Sequence, residues 1–437
     1  MASTFQMLIA RPSPLLPYLR RLRTSQVARN SAYMMASQVS QTMLQGMLFL
    51  VLARVLGSHE FGRVAGVVAI TSALLPFSGL GLGNVAIMRI SRGQAEPGRS
   101  LGNAFAMTTV TGALGVGLVM LLGSTFLDDP DIWLLVSLLG ISEILITKYI
   151  DVAGHVFFGI EQHGVSVFFS NLHVLVRLVS ALALNWFWTE PTAVNWAQLH
   201  LAGGVFTFCI VLYSCLRRLG PSSLDWRTAV RDAREGVFFS LGLSARSVQM
   251  DVDKTVIARD VSAATAGAYT AAFRIVYLAC APIVALLFAL QGRLFRKGDE
   301  AGIAGTVGAS RRLLLVGSAY CLLLGAVMFV AAPAVPWILG RTYELSTTML
   351  QWLCLLPLLV GLQLICSQAL TGADAQHWAG LLQAMAAGLT LLLNVLLVPL
   401  YGWHGSVAAA YTSQTFLIVG LLLTIRRMLK AQREAAR

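Results

Sequence analysis

Runs of about twenty apolar residues, parted by short polar stretches, recur along the whole chain. Each run has the length a helix needs to cross a hydrocarbon core of about 30 Å. The pattern predicts twelve spans, near 32–53, 64–88, 101–125, 132–157, 165–187, 197–216, 237–258, 267–290, 313–333, 349–371, 380–400 and 406–425. Backbone groups surrounded by lipid must be satisfied within the segment, and nothing alternates with the period of a barrel strand, so the spans are helices. The expected fold class is an all-α polytopic membrane protein.

Composition agrees. Hydrophobic residues make up 57% of the chain and charged residues 12%, about half the ~25% charged share of soluble domains. The net charge of +12 sits in the short segments between apolar runs. There it speaks for topology and anionic lipid headgroups, and no basic–aromatic motif points to nucleic acid. The six cysteines fall in or beside apolar runs without a CxxC or Cys/His cluster, so neither a metal, a cofactor nor a disulfide framework is expected.

Basic residues set the orientation. Arg11, Arg20, Arg21, Arg23 and Arg29 begin one set of segments, which continues through the Arg217–Gly236 and Gln291–Arg312 loops to the tail. That set holds twenty-three basic residues against four (Arg54, Arg63, Arg259 and Arg341) in the opposite set. The positive-inside rule then places both termini on the cytoplasmic side. The N-terminus lacks a cleavage-site pattern and is read as a retained cytoplasmic arm.

The chain divides into that arm (1–31), six spans (32–216), a cytoplasmic linker (217–236), six further spans (237–425) and a cytoplasmic tail (426–437). The two sets of spans carry a weak repeat. Leu52-Ala-Arg with Gly62 and Ile70 matches Ile257-Ala-Arg with Gly267 and Ile275 at a constant offset of 205. An even number of spans per half makes the repeats parallel, two six-helix bundles about a pseudo-two-fold axis along the membrane normal. Such repeats hold their passenger near the midplane, between them.

Charges within the spans are the informative residues, each costing at least ~2.5–3.5 kcal/mol at a helix centre. Arg177, Arg246 and Arg274 lie deep and lack a local carboxylate, which marks them as the wall of a cationic, water-filled cavity. Guanidinium groups bind phosphate oxygens in pairs, so such a cavity suits an anionic passenger. Lys148 with Asp151, and Lys254 with Asp251, are spaced three apart and can pair. Asp253 shares a face with Arg246. Gln38, Gln41 and Gln45 form an amide stripe, a secondary wall or helix–helix contact; with the Lys–Asp groups they are candidates for a secondary or ion-coupling role. On the fifth span Ser166, Ser170, His173, Arg177 and Ser180 share one face, as a cavity wall or as a stripe bonded to a neighbouring helix.

Ala53-Arg-Val-Leu-Gly-Ser-His-Glu-Phe-Gly62, followed by Phe77-Ser-Gly-Leu-Gly-Leu-Gly-Asn84, resembles the N-terminal signature of polysaccharide-biosynthesis (Wzx-like) flippases. Asp253-Lys-Thr-Val-Ile-Ala, with Gly267-Ala-Tyr-Thr-Ala-Ala-Phe-Arg274, resembles the start of their second half, and Val398-Pro-Leu-Tyr-Gly-Trp-His-Gly405 their penultimate loop. The family belongs to the multidrug/oligosaccharidyl-lipid/polysaccharide exporter superfamily. The resemblance implies an undecaprenyl-diphosphate-linked repeat unit, carried from the cytoplasmic to the periplasmic leaflet by alternating access. It also implies membrane lipids, a polysaccharide polymerase and chain-length proteins as partners. A cation-coupled drug exporter and a lipid II flippase are the alternatives within the superfamily. A membrane-embedded polymerase or glycosyltransferase is the alternative outside it, and the short external loops leave such an enzyme no catalytic domain.

Overall fold

The computed structural model describes residues 26–126 and 131–435, and among these every regular element is a helix. In chain order they are α1 (Gln26–Leu74), α2 (Leu82–Ser91), α3 (Pro97–Phe126), α4 (Ile132–Gly140), α5 (Lys148–Gly159), α6 (His163–Phe187) and α7 (Ala193–Leu219). The second half holds α8 (Trp226–Asp260), α9 (Ala263–Ala331), α10 (Val335–Leu339), α11 (Glu344–Trp352), α12 (Leu356–Gly372), α13 (Gln376–Tyr401) and α14 (Trp403–Ala435). Nine helical stretches among the described residues are long and apolar enough to cross a membrane, and α11 with α12, bent by 54°, makes a tenth. The chain is a multi-pass membrane protein.

Two of the expected loops are mostly helix. Of the linker 217–236 only 220–225 is non-helical, because Asp225 caps α8 early by accepting from Thr228 N at 3.2 Å. The expected loop Gln291–Arg312 is part of α9, broken only where Gly302 takes φ 57°. Likewise α1 runs through the first turn and bends at Gly57, φ 69°. The expected arm 1–31 lies outside the described residues up to 25.

The turns fall at two ends of the molecule. Gly57, 188–192, 261–262 and 332–343 gather at one, tied by Arg54 Nη1 to Ile338 O (3.1 Å), Ser58 N to Thr342 Oγ1 (3.3 Å), and Tyr343 OH to Ala53 O (2.9 Å). Residues 92–96, 160–162, 220–225 and 373–375 belong to the other, which we call the linker end. There Arg89 pairs with Asp232 at 2.8 Å and Asn103 accepts from Asp225 N at 2.7 Å.

The apolar cores follow the same division. One large core draws on both halves near the Gly57 end, including Leu52, Phe61 and Val67 with Ile257, Tyr269 and Ala272. Toward the linker end the halves separate. One core joins α2, α3, α5 and α7 and takes in Ala229 and Ala233 of α8; the other joins α9, α12, α13 and α14. Apart from α8, which packs on the first half at the linker end as well, the halves are therefore packed together at one end and parted at the other.

At the packed end the repeat-related glycines touch. A Cβ on Gly62 would strike the carbonyl oxygen of Ala263, and one on Gly267 the carbonyl oxygen of Ser58. Ala263 is Ser58 plus the same offset of 205, so the contact is reciprocal. Only glycine lets two backbones approach this closely.

Candidate functional site

The second predicted span, 64–88, is not continuous. Between α1 and α2 the segment Leu75–Gly81 leaves helical geometry at Ser78, Gly79 and Leu80, with Leu80 at φ 44°. A broken helix in hydrocarbon must have its freed backbone groups satisfied by neighbours. Here side-chain hydroxyls do so. Ser240 donates to Pro76 O at 2.6 Å, Ser244 to Ala73 O at 2.7 Å, and Thr111 Oγ1 accepts from Gly79 N at 2.7 Å. Further along, Thr255 donates to Gly66 O at 2.9 Å. The serines and threonine of α8 thus fasten the second half to this irregular strip of the first.

Two cavities lie beside the strip. One, of about 470 Å³, is lined by Pro76, Lys148, Asp151 and His155 from the first half and by Arg246 and Ser247 from the second. The other, of about 290 Å³ and nearer the Gly57 end, is lined by Gln45, Glu143 and Arg177 from the first half and by Lys254, Thr270 and Arg274 from the second. Ser72 and Asp251 line both. All three sequence-predicted arginines therefore reach a cavity, but not the single cavity expected.

Their surroundings differ. Arg246 and Arg274 are exposed to their cavities and form no ion pair among the described residues. Arg177, expected to lack a carboxylate, is paired across helices: its Nη2 lies 3.1 Å from Glu143 Oε1. The same oxygen is 3.0 Å from His200 Nε2, and His200 stacks on Trp196 at 5.3 Å between ring centres. Glu143 is turned inward by a π-helical turn, Ile141–Thr147, in which Thr147 Oγ1 donates to Ser142 O five residues back. Turns of this kind re-aim side chains and gather at functional sites. Thr147 also meets His173 Nε2 at 3.2 Å. So the Ser166–Ser180 face of α6 packs mostly on its neighbours, and of its residues Arg177 lines a cavity.

The lysines divide too. Lys254 pairs with Asp251 at 3.0 Å, as its spacing predicts, and with Asp253 at 3.2 Å, and its ammonium lies 4.3 Å from the centre of the Phe273 ring. Asp253 is buried in that pair and does not meet Arg246. Lys148 and Asp151, expected to pair, form no ion pair although both line the larger cavity. Of the amide stripe, Gln45 lines the smaller cavity and Gln41 neither; the side chain of Gln38 lies outside the described residues. His200 and Trp196 were missed by sequence reading. Their spacing of four, which puts them on one face of the helix, was the available signal.

Removing Glu143 alone leaves Arg177 without its partner in a setting only a quarter open to the cavity. Glu143→Ala is therefore expected to destabilise the purified chain by up to about 3 kcal/mol, and Glu143→Ala with Arg177→Ala by clearly less. Thermal unfolding in one detergent reads the difference; a double variant no more stable than Glu143→Ala would show that the pair is not coupled.

The fold is that of known transporters. An inward-facing multidrug resistance MATE family transporter of the MOP superfamily superposes with a TM-score of 0.73 at 16% identity, over 91% of this chain and 96% of that one. An outward-facing MATE structure gives 0.62 at 15% identity, over 95% and 98%. A MOP superfamily transporter from Pyrococcus furiosus, described as having a binding pocket of reversed polarity that suggests a different function, gives 0.60 at 16%, over 93% and 96%. No curated protein sequence matches the chain. A model of the polysaccharide biosynthesis protein family, in contrast, matches residues 27–289, more than half of the 437. A MOP-type helical fold, a broken helix beside two cavities shared by both halves and that match together place the chain in the polysaccharide biosynthesis protein family.

Proposed function

We infer that the chain is a flippase, which moves an undecaprenyl-diphosphate-linked oligosaccharide repeat unit across the bacterial inner membrane by alternating access. The observation that carries this reading is the pair of arginines, Arg246 and Arg274, exposed without ion-pair partners in cavities walled by both halves. An unpaired guanidinium within a membrane is costly and is kept where it meets an anion. A diphosphate supplies that anion, while the lipid tail stays in the bilayer. No enzyme activity is needed for such a step, and the polymerase and chain-length proteins of surface polysaccharide synthesis would be the chain's partners. Deleting the gene should stop polymer export and leave the lipid-linked repeat unit on the cytoplasmic leaflet; export at the normal rate would count against the reading.

The reading includes twelve crossings in two parallel six-helix bundles, with both termini cytoplasmic. Alternating turns at the two ends and the reciprocal Gly62–Gly267 contact support it. Reporter fusions after Lys430 and within Gln291–Arg312 are expected to read cytoplasmic, and one within Trp337–Ser346 periplasmic. Opposite signals at two of the three would reverse the topology.

Asp151, without an ion pair in the larger cavity, is the observation that suits a cation-coupled exporter instead. In that case Asp151→Asn would abolish resistance to cationic drugs. For a flippase no such resistance exists to lose.

A further inference from the structure

The two cavities meet at one hydrogen bond. Ser72 Oγ shares its proton between Asp251 Oδ2 at 3.1 Å and Ala69 O of its own helix at 3.0 Å. The other carboxylate oxygen is held by Lys254 Nζ at 3.0 Å. Asp251 is thus tied to the first half through Ser72 and to its own helix through Lys254, itself only 4% exposed and further anchored by the Met250 carbonyl and Asp253. Both oxygens being occupied, the side chain has a defined place, and that place is the wall between two cavities. A side chain fixed there obstructs the way through, while Lys254 compensates its charge. Cationic groups stand on both sides of it: Lys148 and Arg246 in the larger cavity, which also holds Asp151, and Arg274 and the Glu143-paired Arg177 in the smaller. In each cavity one of the two comes from each half of the chain.

We propose that the passage holds two anion-binding stations in series, Lys148–Arg246 and Arg177–Arg274, with the Ser72–Asp251 contact as the gate between them. The identity of the anion, a diphosphate headgroup, rests on the function inferred above; the gate does not. An anion at either station bridges the halves, so occupancy at one station and then the other couples its progress to their rocking. Opening requires Asp251 to release Ser72 while Lys254 keeps its charge compensated. The cost of parting the gate is then one neutral-donor hydrogen bond and not an ion pair, which keeps it reversible.

The full-length chain with its six native cysteines replaced carries either Ser247→Cys in the larger cavity or Gln45→Cys in the smaller. A membrane-impermeant, sulfonate-bearing thiol reagent is applied to oriented vesicles from the face on which Ser247→Cys reacts. Since thiol reactivity follows access, Ser247→Cys is expected to react at least about tenfold faster than Gln45→Cys. Asp251→Ala, or Ser72→Val, should each raise the Gln45→Cys rate by about fivefold or more and leave Ser247→Cys within about twofold. Ser72→Val removes the bond without touching a charge, so it decides the matter if Asp251→Ala fails to insert. Equal rates in the parent, or no acceleration in an inserted gate variant, would overturn the gate. Farnesyl diphosphate should slow labelling of Ser247→Cys, and Arg246→Ala should remove that protection. Expected gate rates without any protection would overturn the diphosphate station and the function it rests on, with the gate left standing.

Discussion

Arg246→Ala and Arg274→Ala will each slow polymer export about tenfold to a hundredfold, the loss of one charge-assisted hydrogen bond of about 1.5–3 kcal/mol. Membrane insertion should be unaffected, because neither arginine forms an ion pair among the described residues and both face a cavity. Arg177→Ala belongs in the same series but will behave differently: its partner is Glu143 at 3.1 Å, so its loss also leaves a carboxylate uncompensated and lowers stability. Lysine at 246 or 274 should restore part of the rate if charge alone serves, and little if the planar fork matters. Export by both alanine variants at the normal rate, with normal amounts in the membrane, would assign these arginines to structure.

The second large effect concerns the packed end. Gly62→Val and Gly267→Val each drive a side chain into a backbone carbonyl of the other half, Ala263 in the first case and Ser58 in the second. Backbone cannot rotate away as a side chain can, so the cost exceeds the ~1–3 kcal/mol of ordinary overpacking. The halves would then be unable to close at the Gly57 end. Oxidative cross-linking of Ser58→Cys to Thr342→Cys, whose parent residues are hydrogen-bonded at 3.3 Å, reports that closure. In a background free of native cysteines it should fall sharply in both valine variants. Gly388→Ala, where a Cβ would meet nothing within 4 Å, should leave it unchanged. Because the contact is reciprocal, the two valine variants should share one phenotype; strong loss in one and none in the other would contradict the pseudo-symmetry.

Much of this was legible in the sequence because lipid makes polarity expensive. The helical class and the choice of Arg177, Arg246 and Arg274, each of which lines a cavity, follow from where charge interrupts an apolar run. The offset-205 repeat led to Gly62 and Gly267, and the structure added that they touch. What stayed hidden depended on rotation of one helix against another. The i,i+3 rule favoured Lys148–Asp151 and Lys254–Asp251 equally, yet only the second pair forms. Arg177 found Glu143 thirty-four residues away because a π turn swung Glu143 toward it, and no residue pattern announces such a turn. The break at Leu75–Gly81 was hidden for a related reason: Pro76 and three glycines were visible, but Pro282 sits within a continuous helix. The difference lies in the hydroxyls of Ser240 and Ser244, which satisfy the carbonyls the break sets free.

Movement of a lipid-linked diphosphate sugar from one leaflet to the other is the function inferred for this chain. Its most direct test is a proteoliposome holding only the purified chain and an undecaprenyl-diphosphate oligosaccharide, with headgroup exposure followed by an enzyme that cannot cross the bilayer. The inner-leaflet share should become accessible within minutes, Arg246→Ala with Arg274→Ala should abolish this, and a zwitterionic lipid in the same vesicles should stay where it is. An oligosaccharide lipid that remains on its original leaflet with the active chain present would contradict it.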